Sequence, residues 1–346
     1  MLLTGNRLQA VTLVIALLFL LLPASKVPQR FPGALFTWPW RIFFIASSLA
    51  AFAWLGSFNT FISAIYKSPA IKQEFQRMYA EKMRSWPVPY QDVFIDTDYG
   101  KVHVIVSGKL TAPPLVLLHV SGVASWSWQY NIKALSKTFR TYAIDTIGDA
   151  GKSELNSRDH YPQEGKTQAE LYSQIFDKLG LKSAYLVGGS EGGFIATNIA
   201  LYSPDRVKKL ALLGPMGFGG TTESVIRIVL IQFFPLDFIQ ENTVRWAFGN
   251  KPKLINTAGT WFRLVMSGTF PRKARPTQFK TGELKRIRVP VLFVLGEKDN
   301  LLGKPEDTIK LAQNIPNVEF KVLNTGHFIA MEQPEQVDKL LIAFFN

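Results

Sequence analysis

Ala184-Tyr185-Leu186-Val187-Gly188-Gly189-Ser190-Glu191-Gly192-Gly193 is the stretch that decides the reading of this chain. A short apolar run enters Gly-x-Ser-x-Gly, and a helical pattern leaves it. The run predicts a strand, and the glycines predict a sharp turn in which flanking side chains would clash. Ser190 would then stand exposed at the carboxyl end of a strand. The N-terminus of the next helix would lie behind it and favour developing negative charge. Gly-x-Ser-x-Gly alone is a common pattern. Placed between strand and helix, it marks Ser190 as a candidate nucleophile.

A serine needs a base. The histidines are His103, His119, His160 and His327. Folds that carry the nucleophile on a strand–turn–helix elbow order their triad serine, acid, histidine. Only His327 follows Ser190, in Asn324-Thr325-Gly326-His327-Phe328. The acid must lie between the two, at a strand end. Val291-Leu292-Phe293-Val294-Leu295-Gly296-Glu297-Lys298-Asp299 offers Asp299, with Glu297 as the alternative. Its task is to orient the imidazole and stabilise its charged form.

The oxyanion needs two backbone N–H groups. One is expected from Glu191, directly after the nucleophile. The other is expected from Leu118-His119-Val120-Ser121-Gly122, with Ser121 preferred and Val120 next. His119 precedes the serine in the chain and reads as an organiser of this loop. Asp145-Thr146-Ile147-Gly148-Asp149-Ala150-Gly151-Lys152-Ser153 is also glycine-rich. It lacks the spacing of a phosphate loop, so a structural loop bordering the site is expected.

Outward from the elbow, short apolar runs alternate with helical patterns from about Tyr90 to the end. Gln91–Thr97 and Lys101–Ser107 read as a hairpin around Asp98-Tyr99-Gly100. Further strands are read at Leu115–His119, Thr141–Asp145, Ala184–Gly188, Lys209–Leu213, Val291–Leu295 and Glu319–Leu323. Helices are read at Gln168–Leu179, Gly192–Ser203, Glu306–Asn314 and Pro334–Phe345. Continuous apolar strands separated by helices predict an α/β fold: a mostly parallel, eight-stranded sheet with helices on both faces. Residues from about 216 to 288 are aromatic and helical, with Arg and Lys far outnumbering Glu223, Asp237, Glu241 and Glu283. They read as an inserted cap.

The remaining stretch is different. No charge occurs between Arg7 and Lys26, and Val11–Leu22 is almost wholly aliphatic. A second uncharged run spans Ile42–Tyr66, behind Trp38, Trp40 and Arg41. It has the length of a bilayer-crossing helix, and the aromatic residues suit an interface. The first run is also readable as a signal-peptide core. Residues 1–70 are therefore expected to anchor the chain through one or two transmembrane helices, with 71–346 as the catalytic domain. The basic residues after the second run point to a cytoplasmic catalytic domain on the inner membrane. Membrane lipid is an expected partner. The 346 residues carry a formal charge of +13, which favours anionic surroundings, but no nucleic-acid motif is present. With no cysteine, disulfides, thiolate catalysis and cysteine-ligated zinc are excluded. No metal site and no protein partner are assigned.

From Tyr90 to Asn346 the chain resembles the α/β-hydrolase superfamily, and within it the bacterial carboxylesterases of the naproxen-esterase type. Pro114-Leu115-Val116-Leu117-Leu118-His119, Tyr142-Ala143-Ile144-Asp145-Thr146-Ile147-Gly148-Asp149 and Gly326-His327-Phe328-Ile329-Ala330-Met331-Glu332-Gln333-Pro334 carry the resemblance. It implies hydrolysis of a small-molecule ester through an acyl-enzyme, with no cofactor. Two departures stand out. The family usually has His-Gly where this chain has His119-Val120, a change that reshapes the oxyanion loop or narrows the acyl pocket. Glu191 adds a carboxylate beside the oxyanion site, a change that raises the pKa of the base or disfavours anionic substrates. A basic, aromatic cap beside a membrane favours a lipophilic or lipid-like ester. The same triad also serves carbon–carbon bond hydrolases, acyltransferases and perhydrolases, and a catalytically dead binding scaffold is the remaining alternative.

Overall fold

The computed structural model describes residues 65–346 apart from 158–159, 234–235, 250 and 271–275. Its centre is a nine-stranded sheet in the order β1-β2-β4-β3-β6-β7-β8-β9, with β5 pairing β2. The strands are β1 (Tyr90–Thr97), β2 (Gly100–Ser107), β3 (Pro114–Leu118), β4 (Arg140–Ile144), β5 (Glu154–Leu155), β6 (Ala184–Gly189), β7 (Val207–Leu213), β8 (Val291–Gly296) and β9 (Val318–Leu323). The β1–β2 hairpin closes with Thr97 opposite Gly100, so Asp98 and Tyr99 form the two-residue turn. β2 is antiparallel to β4, and every neighbour pair from β4 to β9 is parallel. The sequence reading gave eight strands. The ninth, β5, is only two residues long and leaves no period to detect.

Both faces of the central parallel strands are buried because successive residues alternate between two cores, while the edge strand β9 is largely exposed. Leu115, Leu117, Val187, Ala211, Leu213, Leu292 and Val294 face one core, completed by Leu135, Val337, Leu341 and Phe345. Val116, Leu118, Leu186, Leu210, Leu212, Phe293 and Leu295 face the other, against Leu171, Ile175, Phe176, Ile195 and Ile199. The helices covering the sheet include α2 (Ile132–Thr138), α3 (Gly165–Lys178), α4 (Glu191–Tyr202), α8 (Pro305–Ala312) and α9 (Pro334–Phe345). The stretch read as a cap contains α5 (Thr222–Phe233), α6 (Asp237–Ala247) and α7 (Thr260–Gly268), with a π turn at Ile255–Gly259 leading into α7.

A helix that the sequence reading passed over, α1 (Pro69–Met83), joins the sheet domain to α7. It starts where Ser68 Oγ accepts from the Ile71 N–H at 3.3 Å and Pro69 supplies a preset φ. Its inner face carries Phe75 and Tyr79, both buried. Phe75 lies edge-on to the fully buried Trp261 of α7 at 5.0 Å, and Trp261 meets Trp126 at 5.7 Å. Backbone hydrogen bonds from Lys67 to Gly268 and from Phe270 to Ile65 stitch the same junction.

These contacts correct the expectation of a membrane-anchored architecture. Among the described residues no helix is long and apolar enough to cross a membrane. The end of the uncharged run Ile42–Tyr66 belongs to the protein core. Tyr66 is buried against Phe75, bridges to Thr269, and donates its hydroxyl to the Gly151 carbonyl at 2.9 Å. A charge-free run is equally compatible with protein interior and with lipid, so its length overstated the case. Val11–Leu22 and residues 42–64 lie outside the described residues. The transmembrane helices, and with them the inner-membrane location, are therefore not carried forward.

Candidate active site

The predicted residues converge at the carboxyl ends of the parallel strands, where sheets of this kind place their ligands. β6 delivers Ser190, the loop after β8 delivers Asp299, the loop after β9 delivers His327, and the loop after β3 delivers residues 119–122.

Ser190 sits at φ 49° and ψ −113°, a conformation that side chains other than glycine rarely adopt. Its surroundings hold it there. The Ser190 N–H donates to Leu213 O at 3.0 Å, and its carbonyl accepts from Met216 and Phe194. The elbow leaves no room for flanking side chains. A Cβ on Gly192 would stand 2.3 Å from Leu118 O, and one on Gly188 would stand 2.3 Å from Gly192 O. The helix α4 starts at Glu191, so the amides of its first turn open toward the site.

His327 Nε2 lies 2.8 Å from Ser190 Oγ, and its Nδ1 lies 2.8 Å from Asp299 Oδ2. All three side chains are buried. The second carboxylate oxygen of Asp299 accepts from the N–H groups of Leu301 at 2.8 Å and Leu302 at 3.0 Å. Burial opposes ionisation of Asp299, but the adjacent His327 and those two N–H groups outweigh it and hold the carboxyl below its ordinary value. Glu297, the alternative acid, points to solvent. The geometry therefore brings Asp299, and not Glu297, to the imidazole.

Two positioning residues were not singled out in the sequence. The buried side chain of Glu332 accepts from Gly326 N at 2.7 Å and Phe328 N at 3.3 Å, bracketing His327. It also pairs with Lys251, which lies between α6 and the π turn. Asp149 Oδ2 accepts from Gly122 N at 2.9 Å, tying the β3 loop to the β4 loop. His119 supports the same link. Its Nε2 accepts from Thr146 N at 2.9 Å, so its Nδ1 carries the proton and donates to Val120 O at 2.8 Å. His119 thus ties the β3 loop to the β4 loop.

A small cleft adjoins His327. It is lined by Val120, Ser127, Trp128, Gly189, Leu213, His327 and the run Phe328–Met331. Val120 fills the space beside the nucleophile turn, and a Cβ on Gly189 would stand 2.9 Å from Val120 Cγ2. Phe328, one wall of the cleft, stacks on Phe248 at 4.2 Å.

The other histidines do different work. His160 is exposed. His103 is fully buried between Asp145, at 2.9 Å, and Asp92, at 2.6 Å. Burial alone would push its pKa down, but the two carboxylates raise it above the ordinary value. Asp145 also accepts from Ser125 N, Lys152 N and Tyr79 OH, so this cluster braces the loops behind the site. Among the described residues no cluster of side chains suited to a metal ion occurs.

With this geometry established, relatives become informative. A family model described as the alpha/beta hydrolase fold matches residues 113–245. Carboxylesterase YbfK of Bacillus subtilis is 30% identical over 295 residues, covering 78% of this chain and 93% of the relative. A second Bacillus subtilis protein, named as the uncharacterized carboxylesterase nap, is 31% identical over 79% of this chain and 92% of its own length. The crystal structure of naproxen esterase from Bacillus subtilis superposes with a TM-score of 0.75 at 30% identity, covering 81% of this chain and 100% of that one. The chain belongs to the α/β-hydrolase family, among its carboxylesterases.

Proposed function

We propose that this protein hydrolyses uncharged carboxylic esters through an acyl-enzyme on Ser190. The observation that carries the reading is the buried hydrogen-bonded chain from Asp299 through His327 to Ser190 Oγ, both links at 2.8 Å. The kinship with carboxylesterases supports it.

In this mechanism His327 Nε2 takes the Ser190 proton as Oγ attacks the ester carbonyl. Asp299 fixes the imidazole with Nδ1 protonated and balances the imidazolium that forms. The N–H of Glu191, with that of Ser121 or Val120, receives the oxyanion. The tetrahedral intermediate collapses as His327 gives its proton to the leaving alkoxide, which departs as the alcohol. Water then attacks the acyl group, His327 takes its proton and returns one to Ser190, and the acid leaves.

The cleft lining supports an uncharged substrate. It contains no Lys or Arg to balance a carboxylate. Apolar walls are consistent with a lipophilic acyl part. A methyl-ester assay with mass spectrometry tests the reading. The expected result is release of methanol with an acyl adduct on Ser190, both absent in Ser190→Ala. Ester hydrolysis that survives Ser190→Ala at the wild-type rate would remove the mechanism.

A further inference from the structure

We propose that Val120 sets the size of the alcohol that this site releases, restricting the substrates to esters of small alcohols such as methanol and ethanol. The inference rests on the ester-hydrolase reading above and specifies its substrate class.

The argument begins with where the leaving group must be. In acyl transfer the leaving oxygen takes its proton from the base that received the serine proton. With His327 as that base, the alcohol has to lie on the His327 side of Ser190. Among the described residues a small cleft lies there, between the β3 loop, the Ser125–Tyr130 turn and the loop that carries His327. Its lining is apolar apart from Ser127 and His327.

Val120 reduces this cleft from the side of the nucleophile. Its Cγ2 occupies the position next to Gly189, where a Cβ on residue 189 would come within 2.9 Å. The two positions are therefore complementary: a side chain at 120 requires none at 189. The backbone that carries the isopropyl group is fixed by its neighbours. The backbone carbonyl of Val120 is held by His119 Nδ1 at 2.8 Å, and Gly122 two residues on is held by Asp149. A β-branched side chain on an anchored backbone has little rotamer freedom, so it cannot swing aside for a longer alcohol. Phe328, another wall of the cleft, is also held, because it is stacked against Phe248. The cleft is small, so an alcohol of one or two carbons is the occupant that suits it, and each further methylene would press on its walls. An apolar pocket discriminates by roughly tenfold or more for each methylene that it cannot hold.

The test is a series of methyl, ethyl, butyl and hexyl esters of one acid, followed by pH-stat with wild type, Val120→Ala, Val120→Gly and Val120→Leu. The wild-type kcat/KM should fall by about tenfold or more from methyl to butyl. Val120→Ala and Val120→Gly should flatten that decline, and Val120→Leu should steepen it, with the methyl ester favoured even over ethyl. A parallel series varying the acid at fixed methanol should leave the Val120 variants indistinguishable in slope. A wild type that accepts butyl and methyl esters equally would overturn the proposal. So would variants that lower all esters by one factor, which would make Val120 only a support for the loop. A dependence on acid length in place of alcohol length would overturn it as well. Failure of every ester, in a protein that still labels at Ser190, would strike the ester-hydrolase reading itself.

Discussion

Asp149 Oδ2 accepts the N–H of Gly122 at 2.9 Å, and this bond fixes the loop on which the oxyanion donors of the β3 side depend. Its other oxygen accepts from Ala150 N at 2.8 Å, which orients the carboxylate. The pair lies in the protein interior, where an unmade bond to a backbone donor is costly. Asp149→Ala is therefore expected to lower kcat on the order of 10- to 100-fold with a smaller change in KM, because the donors matter most when the oxyanion forms. Asp149→Asn keeps one acceptor and should lie between. Steady-state kinetics on a methyl ester check this. An unchanged kcat in Asp149→Ala would show that the loop holds without the bond.

Glu332 acts on the other side of the site. Its carboxylate takes two backbone N–H groups that bracket His327 and also meets Lys251. Glu332→Ala leaves both donors buried without an acceptor, so Tm and kcat should fall together, kcat by about tenfold or more. Lys251→Ala leaves the His327 loop bonded and should cost far less. Thermal unfolding and turnover of the two variants, measured side by side, test the ranking. Equal losses in both would place the weight on the ion pair.

Gly189 and Val120 should prove coupled. A methyl group at 189 would meet Val120 Cγ2 at 2.9 Å, and Gly189 is not at positive φ, so the obstacle is the side chain alone. Gly189→Ala is expected to lower activity sharply by pushing on the nucleophile turn. The double variant Gly189→Ala with Val120→Ala should recover most of that loss. A double-mutant cycle on kcat/KM measures the coupling, and strict additivity of the two changes would contradict it.

Asp338 gives a pH signature in stability. Its pKa is pushed up to about 6 by burial, with the Asn131 amide bond opposing the shift and Glu335 adding to it. A carboxyl whose folded pKa is raised binds its proton more tightly in the folded protein, so its contribution is greatest near pH 4 and is lost as pH rises through about 6. Asn131 Nδ2 already donates to Asp338 Oδ1 at 2.9 Å, while the buried Asn131 Oδ1 has no hydrogen-bond partner. An amide at 338 can supply the missing donor without a charge. Asp338→Asn should raise Tm above pH 6 and lose that advantage near pH 4. A Tm difference that does not vary with pH would contradict the account.

How far the sequence reached depends on what kind of partner each residue has. Ser190 and His327 were legible because the elbow glycines and the serine–acid–histidine order are features of the chain itself. Asp299 was preferred to Glu297, but only the fold turns one carboxylate inward and the other to solvent. Asp149 and Glu332 went unselected because their partners are backbone N–H groups, which any residue supplies and no spacing reveals. Val120 stood out as a departure, yet its side of the nucleophile, toward His327, is a matter of three-dimensional packing. The helix Pro69–Met83 was missed for a related reason. It follows an uncharged run, and the buried Tyr66 at the end of that run reads the same in sequence whether it meets lipid or Phe75.

The central claim is that Ser190 is an activated nucleophile served by His327. Fluorophosphonate labelling tests it most directly, because the reagent captures only a serine whose proton can be removed. Wild type should label rapidly, Ser190→Ala should not label, and His327→Ala should label far more slowly while remaining folded by circular dichroism. Labelling that persists in Ser190→Ala, or a folded wild type that does not label, would contradict it.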